Sequence, residues 1–329
     1  MAWPCGCPVP VALAAMLLAL PRATRGTLQP PLVHMRRERR ATALNLEQIQ
    51  TATLPRYGVT VLRRLPHTES PFTQGLETAA NGYLVETSGS FPEGVSSFVR
   101  TIDPQTGQEL QRVTAGMQNA QGGVFVEGIS FLGDRWLAST YNDKMVLEFN
   151  HDLQFVQSHA FPYEGWGLSR SPDGHRLLAT NGTEHLMTLD PRTFQALEVH
   201  TATCLGRPVP GLNELELVDN FQRRGPTLLG NIINTRLVLA LDPKTAECTG
   251  VFSLDGADME TAQDNERWGY HVANGIAHNR VNNTFFVTGK NWLWLYEIRI
   301  EEEHSPSSQQ SNALEGLSEY LESINLKQG

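Results

Sequence analysis

Gln74-Gly75-Leu76, Glu127-Gly128-Ile129, Trp166-Gly167-Leu168, Asn213-Glu214-Leu215 and Asn274-Gly275-Ile276 are built to one plan. Each is a side chain able to do chemistry, then Gly or a substitute for it, then Leu or Ile. Successive copies lie 53, 39, 47 and 61 residues apart, with strand-like sequence between them. That period suits a β-propeller, in which each blade is one supersecondary unit and the same position recurs in every blade. The expected fold is therefore all-β, a five-bladed β-propeller, and the five polar or aromatic leaders should meet at one axis.

A second repeat agrees. Asp103-Pro104-Gln105-Thr106, Asp190-Pro191-Arg192-Thr193 and Asp242-Pro243-Lys244-Thr245 each stand between two short apolar runs. Pro pre-sets a tight turn and Asp caps it with its own side chain, so each should join two strands. Asn150-His151-Asp152-Leu153 is a worn copy midway between the first two, and near Glu297, where another is due, the pattern stops. The runs between are short and rich in β-branched residues, with no long amphipathic helix to interrupt them.

The 329 residues divide as follows. Residues 1–26 resemble a signal peptide, with an apolar stretch over 9–20 too short to span a bilayer comfortably, followed by Pro21 and small residues. Residues 27–54 form an N-terminal extension containing the basic run 36–40, residues 55–300 the propeller, and 301–329 a disordered or weakly helical tail. The expected location is the secretory pathway or extracellular, and no membrane contact should remain once the signal is removed. Cys204 and Cys248 are an even pair that an oxidising compartment would tend to join, two buried thiols being the other reading. Asn181-Gly182-Thr183 and Asn282-Asn283-Thr284 are glycosylation sequons. A net charge of −9 with no basic patch beyond 36–40 argues against a nucleic-acid partner.

In a propeller the innermost strand of each blade lines the channel and its start opens onto one face. Gln74, Glu127, Trp166, Asn213 and Asn274 should ring one mouth, a concave pocket with convergent polar groups. The glycines behind them would permit close backbone approach. A carboxylate buried beside Trp166 would have its pKa raised toward the range useful for moving protons near neutrality, which makes Glu127 the general acid/base candidate. A simpler role, bonding strand ends or an ion, stays open for it.

Taken with their flanks, Phe72-Thr73-Gln74-Gly75-Leu76, Phe125-Val126-Glu127-Gly128-Ile129, Gly165-Trp166-Gly167-Leu168, Leu212-Asn213-Glu214-Leu215-Glu216, Asn274-Gly275-Ile276-Ala277 and Val287-Thr288-Gly289-Lys290 resemble the signature segments of the plant and bacterial type glutaminyl cyclases. The resemblance covers residues 60–299. It implies a glutaminyl-peptide cyclotransferase, an ammonia-releasing aminoacyltransferase that turns the N-terminal Gln of peptides or proteins into pyroglutamate. It also implies that Glu127, Lys290, Asn213 and Gln74 are catalytic and that Trp166, Phe72 and Phe125 line the substrate pocket. Tyr141 and Ile233 stand where the family commonly carries tryptophans, so Tyr141 keeps an aromatic face and Ile233 loses one. No cofactor is expected for catalysis. A structural calcium held by strand-start carbonyls is the one metal the resemblance suggests; the ten His are scattered without zinc-ligand spacing. Peptides or proteins beginning with Gln are the expected partners of a monomer. Two other functions fit the residues alone: a non-enzymatic peptide-binding propeller, or a calcium-dependent propeller lactonase or esterase.

Overall fold

The computed structural model describes residues 54–90, 95–114, 123–255, 259, 272–302 and 312–328. The signal-like segment 1–26 and most of the extension 27–54 lie outside the described residues.

The described strands build five four-stranded antiparallel sheets. After β1 (Tyr57–Pro66), blade 1 runs β2 (Thr73–Thr78), β3 (Leu84–Ser88), β4 (Phe98–Ile102) and β5 (Glu109–Val113). Blade 2 is β6 (Val126–Leu132), β7 (Arg135–Thr140), β8 (Met145–Asn150) and β9 (Phe155–Ala160). Blade 3 is β10 (Leu168–Arg170), β11 (Leu177–Ala179), β12 (His185–Leu189) and β13 (Ala196–Thr201). A two-stranded connector, β14 (Thr203–Cys204) with β15 (Arg207–Pro208), leads into blade 4: β16 (Leu212–Val218), β17 (Thr227–Ile232), β18 (Leu237–Leu241) and β19 (Cys248–Ser253). Blade 5 takes β20 (Ala273–Asn279), β21 (Thr284–Gly289) and β22 (Trp294–Glu302) from one end of the propeller and its outer strand, β1, from the other.

That borrowed strand explains the missing turn near Glu297. Asp103, Asp190 and Asp242 each accept backbone N–H groups two residues on, at 2.7–2.8 Å, between the third and outer strands of blades 1, 3 and 4. Asn150 does the same for Asp152 and Gln154 in blade 2. In blade 5 the third strand continues straight into pairing with β1, from Tyr57 opposite Glu302 to Pro66 opposite Trp294, so no turn is needed. The ring is closed by hydrogen bonds between strands more than 200 residues apart, and β1 becomes the outer edge of the last sheet, as β5, β9, β13 and β19 are of theirs.

The inner strands β2, β6, β10, β16 and β20 are each neighbours of the next around the axis, and the motif glycines are where they touch. A methyl group on Gly167 would meet the Asn213 carbonyl at 1.9 Å, one on Gly128 the Trp166 carbonyl at 2.6 Å, and one on Gly75 the Ile129 amide at 2.8 Å. Any side chain there would push two blades apart. Blade 4 departs from the rule. Glu214 takes the glycine's place, and its carboxylate accepts the amides of Leu76 on β2 and Ile276 on β20, so that one side chain of blade 4 binds blades 1 and 5.

The tail carries α1 (Asn312–Gln328). Ala313, Leu314, Leu317 and Leu321 are buried in one cluster with Leu237, Leu239 and Val251 of blade 4. Isolated, 17 residues of this composition would be a marginal helix; each buried Leu contributes roughly 1.5–3 kcal/mol and makes it a packed one. A disulfide joins Cys204 to Cys248 beneath it, tying the connector to β19.

Candidate active site

All five motif leaders sit at the starts of inner strands, on the face where the second strand of each blade ends. Four equivalent hydrogen bonds define the rim. The amides of Gly89, Tyr141, Ile233 and Lys290, each just past a second strand, donate to the carbonyls of Phe72, Phe125, Gly211 and Val272, each just before an inner strand. Tyr141, Ile233 and Lys290 are thus the same position in blades 2, 4 and 5.

Glu127 is 6 % exposed and carries no direct ion pair among the described residues. Burial pushes its carboxyl up to about 8, Lys290 opposes that rise and Glu164 adds to it. Lys290 is 7 % exposed, and burial lowers its pKa while Glu127 supports its charge. Its ammonium lies 4.9 Å from the centre of the Phe72 ring, a cation–π arrangement that partly replaces lost water. Phe72 packs edge-on to Phe125, ring centres 6.2 Å apart, and Phe125 packs at 6.0 Å on Tyr141. Gly89 has no side chain because Phe125 occupies that space, its ring 2.3 Å from where a Cβ would stand.

Gln74 and Asn274 meet where the neighbouring inner strands β2 and β20 begin. The Asn274 amide donates to the Thr73 carbonyl at 2.9 Å and to Gln74 Oε1 at 3.0 Å, so the Gln74 amino group is the end left to donate elsewhere. Asn213 is buried at the start of β16, and its carbonyl accepts the Thr180 hydroxyl at 3.0 Å. The Trp166 indole lies flat against Gly182, a residue at φ +79° whose missing side chain leaves room for the ring.

One residue at this face escaped the sequence reading. Glu164 accepts the Trp166 indole N–H at 2.9 Å and interacts with the Tyr141 hydroxyl, so one carboxylate ties the aromatic of blade 3 to that of blade 2. The i, i+2 spacing from Trp166 was visible, but an acidic residue in a turn is usually solvated, and only the fold brings Tyr141 to it. The strand-start carbonyls suggested as calcium ligands each accept one hydrogen bond from a side chain, a backbone carbonyl has two lone pairs, and the buried Asn274 Oδ1 beside those of Thr73 and Gln74 has no hydrogen-bond partner among the described residues. Those of Thr73 and Gln74 accept from Asn274, that of Glu127 from Thr87, that of Trp166 from Ser139 and that of Asn213 from Thr180. Among the described residues no group of three His, Cys, Asp or Glu is placed to hold a metal.

A family model described as glutamine cyclotransferase matches residues 36–300. The chain belongs to that family. A glutaminyl-peptide cyclotransferase of Arabidopsis thaliana is 32 % identical over 259 residues, covering 76 % of this chain and 73 % of the relative. The crystal structure of the Myxococcus xanthus glutaminyl cyclase superposes with a TM-score of 0.64, covering 76 % of this chain and 99 % of that one, at 24 % identity. The superposition bears on the fold, and it agrees with five closed blades. In this member of the cyclotransferase family, Glu127 of blade 2 and Lys290, just past the second strand of blade 5, are both buried and close enough to interact electrostatically. A separate surface cleft between blades 1 and 2, lined by Ala79, Tyr83, Phe131 and Trp136, contains none of these residues.

Proposed function

We propose that this chain is a glutaminyl-peptide cyclotransferase that converts N-terminal Gln to pyroglutamate with release of ammonia. The observation that carries the reading is the juxtaposition, inside a glutamine cyclotransferase domain, of a buried carboxyl of pKa about 8 with a buried lysine beside an aromatic row.

The substrate's α-amine attacks the side-chain amide carbon of the same residue. Holding these two groups in near-attack geometry can itself supply several kcal/mol. Phe72, Phe125, Tyr141 and Trp166 supply flat walls for the compact cyclising chain, with Ile233 as the aliphatic wall in blade 4. As the new C–N bond forms, the Glu127 carboxylate takes the proton that the amine loses. It then returns that proton to the amide nitrogen as the old C–N bond breaks, so ammonia leaves and the five-membered lactam remains. A pKa of about 8 suits a group that must both accept and give a proton near neutrality. The developing oxyanion faces Lys290, the Gln74 amino group and Asn213 as donors.

The disulfide between Cys204 and Cys248 supports the secretory or extracellular location, since such bonds persist in oxidising compartments. The exposed sequon residue Asn282 is accessible to glycosylation. Closure of the ring supports a monomer. The lactonase reading called for chelating side chains at the axis and, by habit of such enzymes, six blades; here the ring closes with five.

The test is ammonia release from a Gln-initiated dipeptide, with EDTA and with Glu127→Gln as controls. Release that survives EDTA and disappears in the variant supports the cyclase. No turnover of any Gln-initiated peptide leaves a peptide-binding propeller, and loss on chelation without unfolding revives a metal-dependent site.

A further inference from the structure

The family match ends at residue 300, and α1 lies beyond it. The helix nevertheless reaches the rim of the pocket. The Tyr320 hydroxyl donates to the Pro210 carbonyl at 2.8 Å, three residues before Asn213. Next to it, Gly211 sits at φ +77°, and a methyl group there would meet the Tyr320 hydroxyl at 2.6 Å and Ile233 Cγ2 at 2.9 Å. Tyr320 and Ile233 therefore close over the same glycine.

Gly211 is the hub of this wall. Its carbonyl accepts the Ile233 amide at 2.9 Å, the rim bond of blade 4, and its own amide donates to Gly182 at 3.2 Å, the glycine against which Trp166 lies. Blade 2 braces its rim residue, Tyr141, with Glu164 from the next loop, and blade 5 braces Lys290 on Phe72. Blade 4 has an aliphatic Ile233 and a flexible Gly at the same level. Its brace comes from the tail, held by Leu314, Leu317 and Leu321 in the blade 4 core and by the Arg207 guanidinium on the Leu321 carbonyl at 3.5 Å.

We propose that Tyr320 is a positioning residue for the cyclisation, and that α1 is the device by which this chain sets the blade 4 wall of the substrate pocket. The inference rests on the cyclotransferase reading for its kinetic half and on geometry alone for its mechanical half. Tyr320 acts through Pro210 and Gly211 on Ile233 and, through Gly182, on the Trp166 face.

The experiment uses the full chain with Tyr320→Phe, which keeps the ring in its packing and removes only the donor, and with Tyr320→Ala, which removes both. Peptide-resolved hydrogen exchange over 209–213 and 231–234 reads the wall; steady-state kinetics on a Gln-initiated dipeptide read its use. For Tyr320→Phe, exchange in both segments should quicken, and kcat/KM should fall roughly three- to tenfold, the worth of one hydrogen bond, through KM with kcat within about twofold. Tyr320→Ala should extend the same trend. A helix that merely stabilises the fold would lower Tm and leave KM unchanged, which overturns the proposal. Unchanged exchange in both segments overturns it whatever the activity. An inactive wild type defeats the cyclotransferase reading instead, and the exchange result still decides whether Tyr320 holds the wall.

Discussion

Glu86 and Glu127 are both buried carboxylates on neighbouring blades, and they have opposite chemistry. Burial pulls Glu86 upward, but Arg100 and His67 outweigh it and bring the carboxyl down to about 2. The Arg100 guanidinium donates at 2.6 Å, the Thr73 hydroxyl at 2.6 Å, and the His67 ring meets it at 2.9 Å. Glu127 has the same burial, one lysine at a distance and a second carboxylate, Glu164, nearby, and its pKa goes up to about 8. A compensated carboxylate is an anchor, and an under-compensated one is a proton carrier. The anchor lies directly under the site, since its partner Thr73 precedes Gln74 and His67 also reaches the Trp292 carbonyl and the Thr288 hydroxyl of blade 5.

Removing the carrier should have the largest effect. Glu127→Gln is expected to lower kcat about 10²- to 10⁴-fold, the usual range for a positioned acid/base, with the fold intact by circular dichroism. Retention of more than a tenth of wild-type kcat would show that the proton travels by another group and would end the contrast with Glu86.

Breaking the anchor comes next. Arg100→Met should cost about 3–5 kcal/mol at pH 7 because it leaves Glu86 buried and uncompensated. The folded pKa of Glu86 is depressed, so its contribution to stability is present above the unfolded value of 4.5 and is lost as pH falls through about 2. Urea melts of both proteins should therefore converge as pH drops from 5 toward 2; a constant gap would mean that packing, not charge, sets the cost.

A third carboxylate sharpens the comparison away from the site. Glu77, deep in the channel, is raised to about 7 by burial against the pull of the Phe131 amide. Glu214 and Glu216 are raised well above the ordinary value by burial and by their acidic neighbours. A raised group contributes stability that is complete below 4.5 and lost as pH climbs through its folded pKa. Glu77→Gln keeps an acceptor for Phe131 and removes the charge, so it should gain up to about 3 kcal/mol over wild type at pH 9 and little at pH 5. Equal stability differences at the two pH values would count against an uncompensated Glu77.

The smallest effects are shifts of the pH profile. The rising limb of kcat/KM should lie near pH 8, where Glu127 ionises. Glu164→Gln removes a charge that raises Glu127 and should move that limb to lower pH; Lys290→Met removes one that lowers it and should move the limb up. Both variants shifting the same way would break the electrostatic account of the pocket.

Much of the fold was legible because a propeller repeats. The motif spacing located all five inner strands, and the Asp-Pro turns located the joins to the outer strands in blades 1, 3 and 4. The pause near Glu297 was visible as well, but not its cause, since nothing local in 57–66 says that it pairs with 294–302. Likewise Glu164 and Tyr320 carry no motif; one is a turn acid and the other a tail residue until the fold brings Tyr141 and Gly211 to them.

The sequence by itself determined the blade count, the strand starts and which side chains lead them, because turn chemistry and hydrophobic period act over a few residues. The tertiary structure decided which carboxylates keep their charge and which wall the tail supports. Those depend on burial and on partners such as Thr73, 13 residues from Glu86, and Lys290, 163 residues from Glu127, and no local pattern encodes the distance between them.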